Sequence, residues 1–211
     1  PRYGASAFVA DHRWFSTVAL AVNFEGIGVA GPALLVELKG PQVEMVSRLD
    51  AAVPDLVGFS FMTELSDLVG GAATDFDVCR DTAVPGYNFA FGRGSSIYHT
   101  MDDNISNLNR AGLAHQGSLA LGIARGFVSL DVDPAASDGG AFFVLGPGWV
   151  VNYGSAVAVA ASFLAIARAV AALGRALRRG TSSPSTLARG FGLALLGALV
   201  MVVVVIGFVV F

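Results

Sequence analysis

Glu25 and His99 are the side chains whose types and setting best suit metal chemistry. Glu25 follows directly on an apolar run at 18–24 (VALAVNF), and His99 lies in the polar loop after a second run at 86–91 (GYNFAF). In open α/β sheets, ligands and metals gather beyond the carboxyl ends of strands. Zinc accepts both carboxylate oxygen and imidazole nitrogen. Asp102 and Asp103, close behind His99, are placed to accept its second ring N–H and fix the tautomer. A lone histidine beside a carboxylate is more often a surface or packing residue, so these residues by themselves leave both readings open.

Other chemistry has less support. His12 follows Asp11 at the end of an expected helix and His115 sits within one at 110–128, where solvated or capping roles are favoured. No Gly-x-Ser-x-Gly elbow is present for a serine nucleophile. The stretch from Gly92 to Ser96 lacks the Lys-Ser/Thr ending of a phosphate loop and reads as a turn. Cys79, the single cysteine, allows no disulfide and no cysteine-based zinc site, and reads as buried and inert.

The elements that must position Glu25 and His99 alternate in type. The run 18–24 reads as a strand buried on both faces, as in a parallel sheet. A loop punctuated by Gly26, Gly28, Gly31 and Pro32 follows, then a strand at 33–38 and a helix from Gln42 to Ala52. Residues 58–62 suggest a short extended piece. Asp75 to Arg80 reads as a helix with Thr74 as cap. The strand 86–91 leads through the loop 92–109 into the helix 110–128, whose apolar face is expected to carry Leu113, Ala120, Leu121, Ala124, Phe127 and Val128. Strands alternating with helices predict an α/β sandwich.

Charge divides the chain. Residues 1–140 hold all sixteen acids against eight basic residues, whereas residues 141–211 hold five arginines and no acid. No basic stripe interleaved with aromatics appears, which excludes nucleic acid as the expected partner. The stretch 131–140 (DVDPAASDGG) reads as a linker. Beyond it, residues 142–167 and 190–211 are charge-free, and about 20 apolar residues suffice to cross a bilayer core. Two transmembrane helices are therefore expected, about 142–167 and 190–211, within a membrane region 141–211. Four arginines in the loop 174–189 predict that it is cytoplasmic, with residues 1–140 on the opposite side. Arginine outnumbers lysine twelve to one, which suggests a GC-rich bacterial gene and so a bacterial plasma membrane. The chain opens at Pro1 without methionine and stops inside an apolar run, so both ends are expected to be cuts.

Several ordered blocks resemble one family. Val22-Asn23-Phe24-Glu25 followed by Gly28 and Gly31-Pro32, then Thr74-Asp75-Phe76, the stretch 84–91 (VPGYNFAF), Tyr98-His99-Thr100 and Asp103-Asn104 look like successive segments of M28 metallopeptidases. One membrane-bound branch, which includes the vacuolar membrane proteases and bacterial relatives, also carries C-terminal spans. The resemblance implies a three-layer zinc-peptidase-like α/β fold, incomplete here, with residues 1–130 as the later part of the peptidase domain. It implies a zinc-dependent aminopeptidase with two zinc ions in its complete site, acting on peptide substrates. Glu25 matches an acidic metal ligand and His99 the final histidine ligand. Tyr98 falls where the family places a group that stabilises the tetrahedral intermediate. The other ligands and the general base would lie upstream of Pro1, leaving this stretch alone inactive. Gly26-Ile27 stands where relatives show Ala-Arg, and Ala72-Ala73 where they show Asn-Asp, which puts pocket shape rather than mechanism in doubt. The alternative, of another class, is a membrane-anchored binding domain that kept the fold and lost the metals. A transporter-like protein is poorly supported, because the spans carry no acid. Residue specificity and oligomeric state are not legible.

Overall fold

The computed structural model describes residues 2–53, 55–68, 74–127, 139–180 and 183–210. Two compact units emerge, Pro1–Ser155 and Ala156–Phe211. The first contains α1 (Tyr3–Asp11), β1 (Ala21–Glu25), β2 (Ala30–Lys39), α2 (Gln42–Ala52), α3 (Ser60–Leu68), α4 (Phe76–Arg80), β3 (Gly86–Arg93), α5 (Arg110–Gly126), β4 (Gly140–Gly146) and β5 (Trp149–Gly154).

The sheet is small and mixed, in the order β1-β3-β2, with β1 parallel and β2 antiparallel to β3. The central strand is β3, and its residues Gly86 to Phe91 are all buried. This is the strand that fits the two-sided burial expected of apolar runs. The same expectation for 18–24 is corrected. The strand runs over Ala21–Glu25 and is only half-buried throughout, because β1 lies at a sheet edge. Its apolar side chains Val22 and Phe24 line an open groove with Ala120 of α5 and Phe127 just beyond it.

One face of the sheet carries the hydrophobic core. Tyr87 and Phe89 pack with Met45, Val46 and Leu49 of α2 and with Leu119 and Ile123 of α5. Each such buried side chain contributes about 1.5–3 kcal/mol. The Tyr87 hydroxyl donates to the Met45 carbonyl at 2.8 Å, and burial raises its pKa. The buried stripe of α5 is Gly112, Leu119 and Ile123, while Leu113 and Leu121 are exposed. For Leu113, Ala120 and Ala124 that is a rotation of about one residue from the expected face, with Gly112 as the point where α5 comes closest to the sheet; Phe127 is buried as expected, and Val128 lies outside the described residues. A Cβ on Gly112 would meet the Gly31 carbonyl oxygen at 2.9 Å. The opposite face is covered by α4, where Phe76 is buried and its backbone N–H donates to Thr74 Oγ1 at 3.3 Å.

Residues 142–154 are not the start of a membrane helix. Strands β4 and β5 form an antiparallel hairpin that continues the sheet through a short connecting piece. Leu35 bridges to Gly58, and Phe59 bridges to Phe143. The extended piece expected at 58–62 is confined to these two bridges, since α3 begins at Ser60. Phe142 is 1% exposed, its N–H donates to Ser60 Oγ at 2.6 Å, and Asn152 Nδ2 donates to the Val43 carbonyl at 2.7 Å. Pro147 and Gly148, the latter at φ 68°, make the turn that a helix could not accommodate. Of the expected linker, residues 131–138 lie outside the described residues, and Gly140 already belongs to β4.

The second unit contains α6 (Ser155–Arg178), whose first residue sits at the end of the first unit, and α7 (Pro184–Val210). Among the described residues, α6 is the one helix long and apolar enough to cross a membrane. Its 24 residues span about 36 Å at about 1.5 Å per residue, so the expected helix at 142–167 is displaced to 155–178.

Candidate metal centre

Glu25 is the last residue of β1 and pairs in register with Ala90 of β3. Its chain then enters the loop 26–29, which is stitched to the segment after β3. The Val29 N–H donates to the Arg93 carbonyl at 3.0 Å, and the Asn109 N–H donates to the Val29 carbonyl at 2.8 Å. Gly28 makes this approach possible, since a Cβ there would meet the Arg93 carbonyl oxygen at 2.2 Å. The loop that follows Glu25 and the loop that holds His99 are thereby fastened along one rim of the sheet.

The loop from Gly94 to Asn109 is built from short-range bonds. A 3₁₀ turn at Ser95–Ile97 opens it, and Thr100 Oγ1 donates to the Ile97 carbonyl at 2.6 Å. Asn107 Nδ2 donates to the Asp102 carbonyl at 2.8 Å, and Asn109 caps α5 by accepting from the Gly112 N–H at 3.0 Å. Within this frame His99 takes φ 62°, the one positive φ at a non-glycine position among the described residues. Such a conformation costs about 1–3 kcal/mol and persists where surrounding structure imposes it. The Tyr98 and His99 rings stack with centroids 3.8 Å apart, and both side chains are exposed.

Among the described residues, no three His, Cys, Asp or Glu side chains converge as a metal-holding group. The end of β1 carries a carboxylate and the loop 94–109 an imidazole, donor types that zinc accepts, and the described residues hold no complete coordination shell. Among the described residues, the His99 ring makes no hydrogen bond to Asp102 or Asp103, so the tautomer-fixing role expected of them is not seen. The Asp102 N–H donates to Thr100 Oγ1 at 3.2 Å and the Asp103 N–H to the Thr100 carbonyl at 3.2 Å, so backbone bonding in the turn is what fixes these two residues.

The remaining candidates are structural. His12 closes α1, stacking on Phe8 at 4.7 Å and accepting the Trp14 N–H at Nδ1. His115 joins three elements: Nδ1 accepts the Ala33 N–H at 3.1 Å, and Nε2 lies 2.9 Å from the Asp55 carbonyl. With Nδ1 an acceptor, the proton sits on Nε2. Cys79 is half-buried rather than buried as expected, and that partial burial pushes its thiol pKa up. Lys39 reaches the Cys79 and Thr82 carbonyls; burial lowers its pKa. Of the two departures in the family pattern, Gly26 lies in the rim loop and its Cβ position is open. Ala72 and Ala73 fall outside the described residues.

Sequence reasoning passes over Asn23 and Asn88. Each interrupts a run that otherwise reads as an apolar strand, and that interruption is the available signal. Asn23 Nδ2 lies 3.4 Å from Glu25 Oε2 and donates to Asn88 Oδ1 at 2.8 Å.

The description "Peptidase family M28" belongs to the family whose sequence model matches residues 2–124. A vacuolar membrane protease of Candida dubliniensis is 32% identical over 127 residues, covering 60% of this chain and 13% of that protein. One from Candida tropicalis is 33% identical over 54% of this chain and 12% of its own length. A third, from Clavispora lusitaniae, is 31% identical over 62% of this chain and 12% of its own length. The chain therefore matches about one eighth of these relatives. No solved structure matches it. The bacterial plasma membrane expected above is overturned, because these relatives are vacuolar membrane proteases of yeasts. Arginine excess reflects coding composition and does not identify a membrane.

Proposed function

This chain belongs to peptidase family M28, and from that premise we propose that it is part of a membrane-anchored, zinc-dependent aminopeptidase. The observation that carries the reading is the stitched rim, where the Val29–Arg93 and Val29–Asn109 bonds hold together the loops flanking Glu25 and His99. Both residues fall inside the stretch matched by the family.

In this reading Glu25 binds metal through a carboxylate oxygen and His99 through a ring nitrogen. Zinc, when bound as a pair, supplies a water of lowered pKa and positive charge near the scissile carbonyl. Tyr98 offers its hydroxyl as a hydrogen-bond donor to the oxyanion, an interaction that strengthens where water is excluded. The strained backbone of His99 and its stacking on Tyr98 hold the imidazole in one direction before metal arrives. The other ligands and the general base come from outside the described residues, so this stretch alone is inactive. Helix α6, with the charge-free run 190–211 as a second span, anchors the protein in a lipid bilayer.

The test is hydrolysis of a peptide with a free N-terminus, set against the same peptide N-acetylated, by the longer protein in detergent. Cleavage of the free peptide alone, lost on chelation and restored by zinc, is expected. Equal rates before and after chelation would exclude a metallopeptidase. Retention of only two ligands among the described residues also fits a non-catalytic peptide-binding domain, which would bind the free peptide without cleaving it.

A further inference from the structure

Three polar side chains cross the buried sheet in a single row. Asn23 of β1 is paired in register with Asn88 of β3, and Asn88 with Glu37 of β2. Asn88 is fully buried and Glu37 is 2% exposed. Such residues are costly in a core unless every group is satisfied. Satisfying them fixes a direction along the row.

The direction follows from what each group can do. Glu37 as a carboxylate only accepts, and it faces Asn88 with Oε2 while Arg80 lies 3.5 Å from Oε1. The group that Asn88 turns toward Glu37 must therefore be its NH₂. The same nitrogen donates to Thr74 Oγ1 at 3.1 Å. Asn88 Oδ1 is left facing β1, where it accepts from Asn23 Nδ2 at 2.8 Å. Asn23 must then also present its NH₂, and the same nitrogen stands 3.4 Å from Glu25 Oε2. Turning over Asn88 would set its oxygen against Glu37 Oε2 and its NH₂ against the Asn23 NH₂, and turning over Asn23 would set its oxygen against both Asn88 Oδ1 and Glu25 Oε2. A carboxylate on the far strand thus decides that Glu25 meets a donor rather than an acceptor.

We propose that Asn23, and through Asn88 the buried Glu37, are positioning residues that orient the Glu25 carboxylate for metal. The proposal rests on the reading of Glu25 as a ligand given above. Outer-shell partners of metal ligands typically alter affinity by about 10–100-fold when removed. Glu37→Gln is the informative change because its size is conserved. A glutamine can present either NH₂ or oxygen to Asn88, so the row loses its fixed direction.

The experiment measures zinc affinity of the longer protein in detergent by competition with a chromophoric chelator, with metal-free melting temperature alongside. Glu25→Ala, Asn23→Leu, Glu37→Gln and the Asn23→Leu/Glu37→Gln double variant are compared with the parent. Asn23→Leu is expected to weaken zinc about tenfold or more, and Glu37→Gln to weaken it in the parent but to add less than about twofold once Asn23 is leucine. Glu37→Gln acting equally in both backgrounds, or Asn23→Leu leaving zinc affinity unchanged, would overturn the proposal. If Glu37→Gln does not fold, Asn23→Leu at the half-buried edge strand decides alone. Should Glu25→Ala leave zinc binding intact, the ligand assignment falls and the proposal with it. A Glu25→Ala loss accompanied by no Asn23→Leu effect removes only the positioning role.

Discussion

The backbone N–H of Val29 donates to the carbonyl oxygen of Arg93 at 3.0 Å, fastening the loop after β1 to the end of β3. Glu25 lies four residues before this bond and His99 six after it along their separate segments. Two residues far apart in sequence thus lie on segments that share a fixed point. Gly28 is the residue that permits the contact.

Gly28→Ala is therefore expected to force the two loops apart, since the added Cβ would lie 2.2 Å from the Arg93 carbonyl oxygen. A backbone atom cannot move aside as a side-chain tip can. We expect a loss of about 1–3 kcal/mol by urea denaturation, in the range of overpacked sites, together with weaker zinc binding. Gly26→Ala, with open space at its Cβ, is expected to change stability by less than about 0.5 kcal/mol, as surface substitutions do.

His115 gives a contrasting outcome. Replacing it with leucine leaves the N–H of the fully buried Ala33 without the ring nitrogen it now donates to. The cost is expected to be about 1–3 kcal/mol of stability. Zinc content should be unchanged, because this histidine ties β2 to the segment around Asp55 rather than serving the metal rim. Denaturation midpoints and metal analysis on one preparation separate the two effects.

Phe142→Ala tests whether the hairpin belongs to the peptidase-type unit. The ring is 1% exposed and sits in the same core as Leu35 and Tyr87. Its removal is expected to cost about 3–5 kcal/mol. A substitution without effect on the melting of that unit would place residues 140–154 outside it.

Cys79 is expected to react slowly with iodoacetamide at pH 8 in the native protein and quickly in urea. Burial raises its thiol pKa, so less thiolate is present at a given pH, and the thiolate is the reactive form. Equal rates in the two conditions would contradict the partial burial of this thiol.

How legible these features were in the sequence depended on whether local pattern and tertiary setting agreed. The helix over Gln42–Ala52 ends where expected, because its turn-forming flanks, Gly40-Pro41 before it and Pro54 after it, act locally. The strand at 86–91 was readable because β3 is central and its apolar run matches two-sided burial. Residues 142–154 read as part of a membrane helix for a physical reason: a charge-free run satisfies the length rule for a span whether or not its first half pairs as strands. Pro147-Gly148 carried the turn signal that length overrode. Glu25 and His99 stand out as candidates by type and position, whereas Asn23, Asn88 and Glu37 acquire meaning only through register across three strands. No local pattern displays that register.

Zinc per protein in the longer chain, measured for the parent and for His99→Ala in the same buffer, addresses the central claim most directly. The account predicts that the variant loses metal while its metal-free form melts with the parent. An unchanged zinc content in His99→Ala would contradict it.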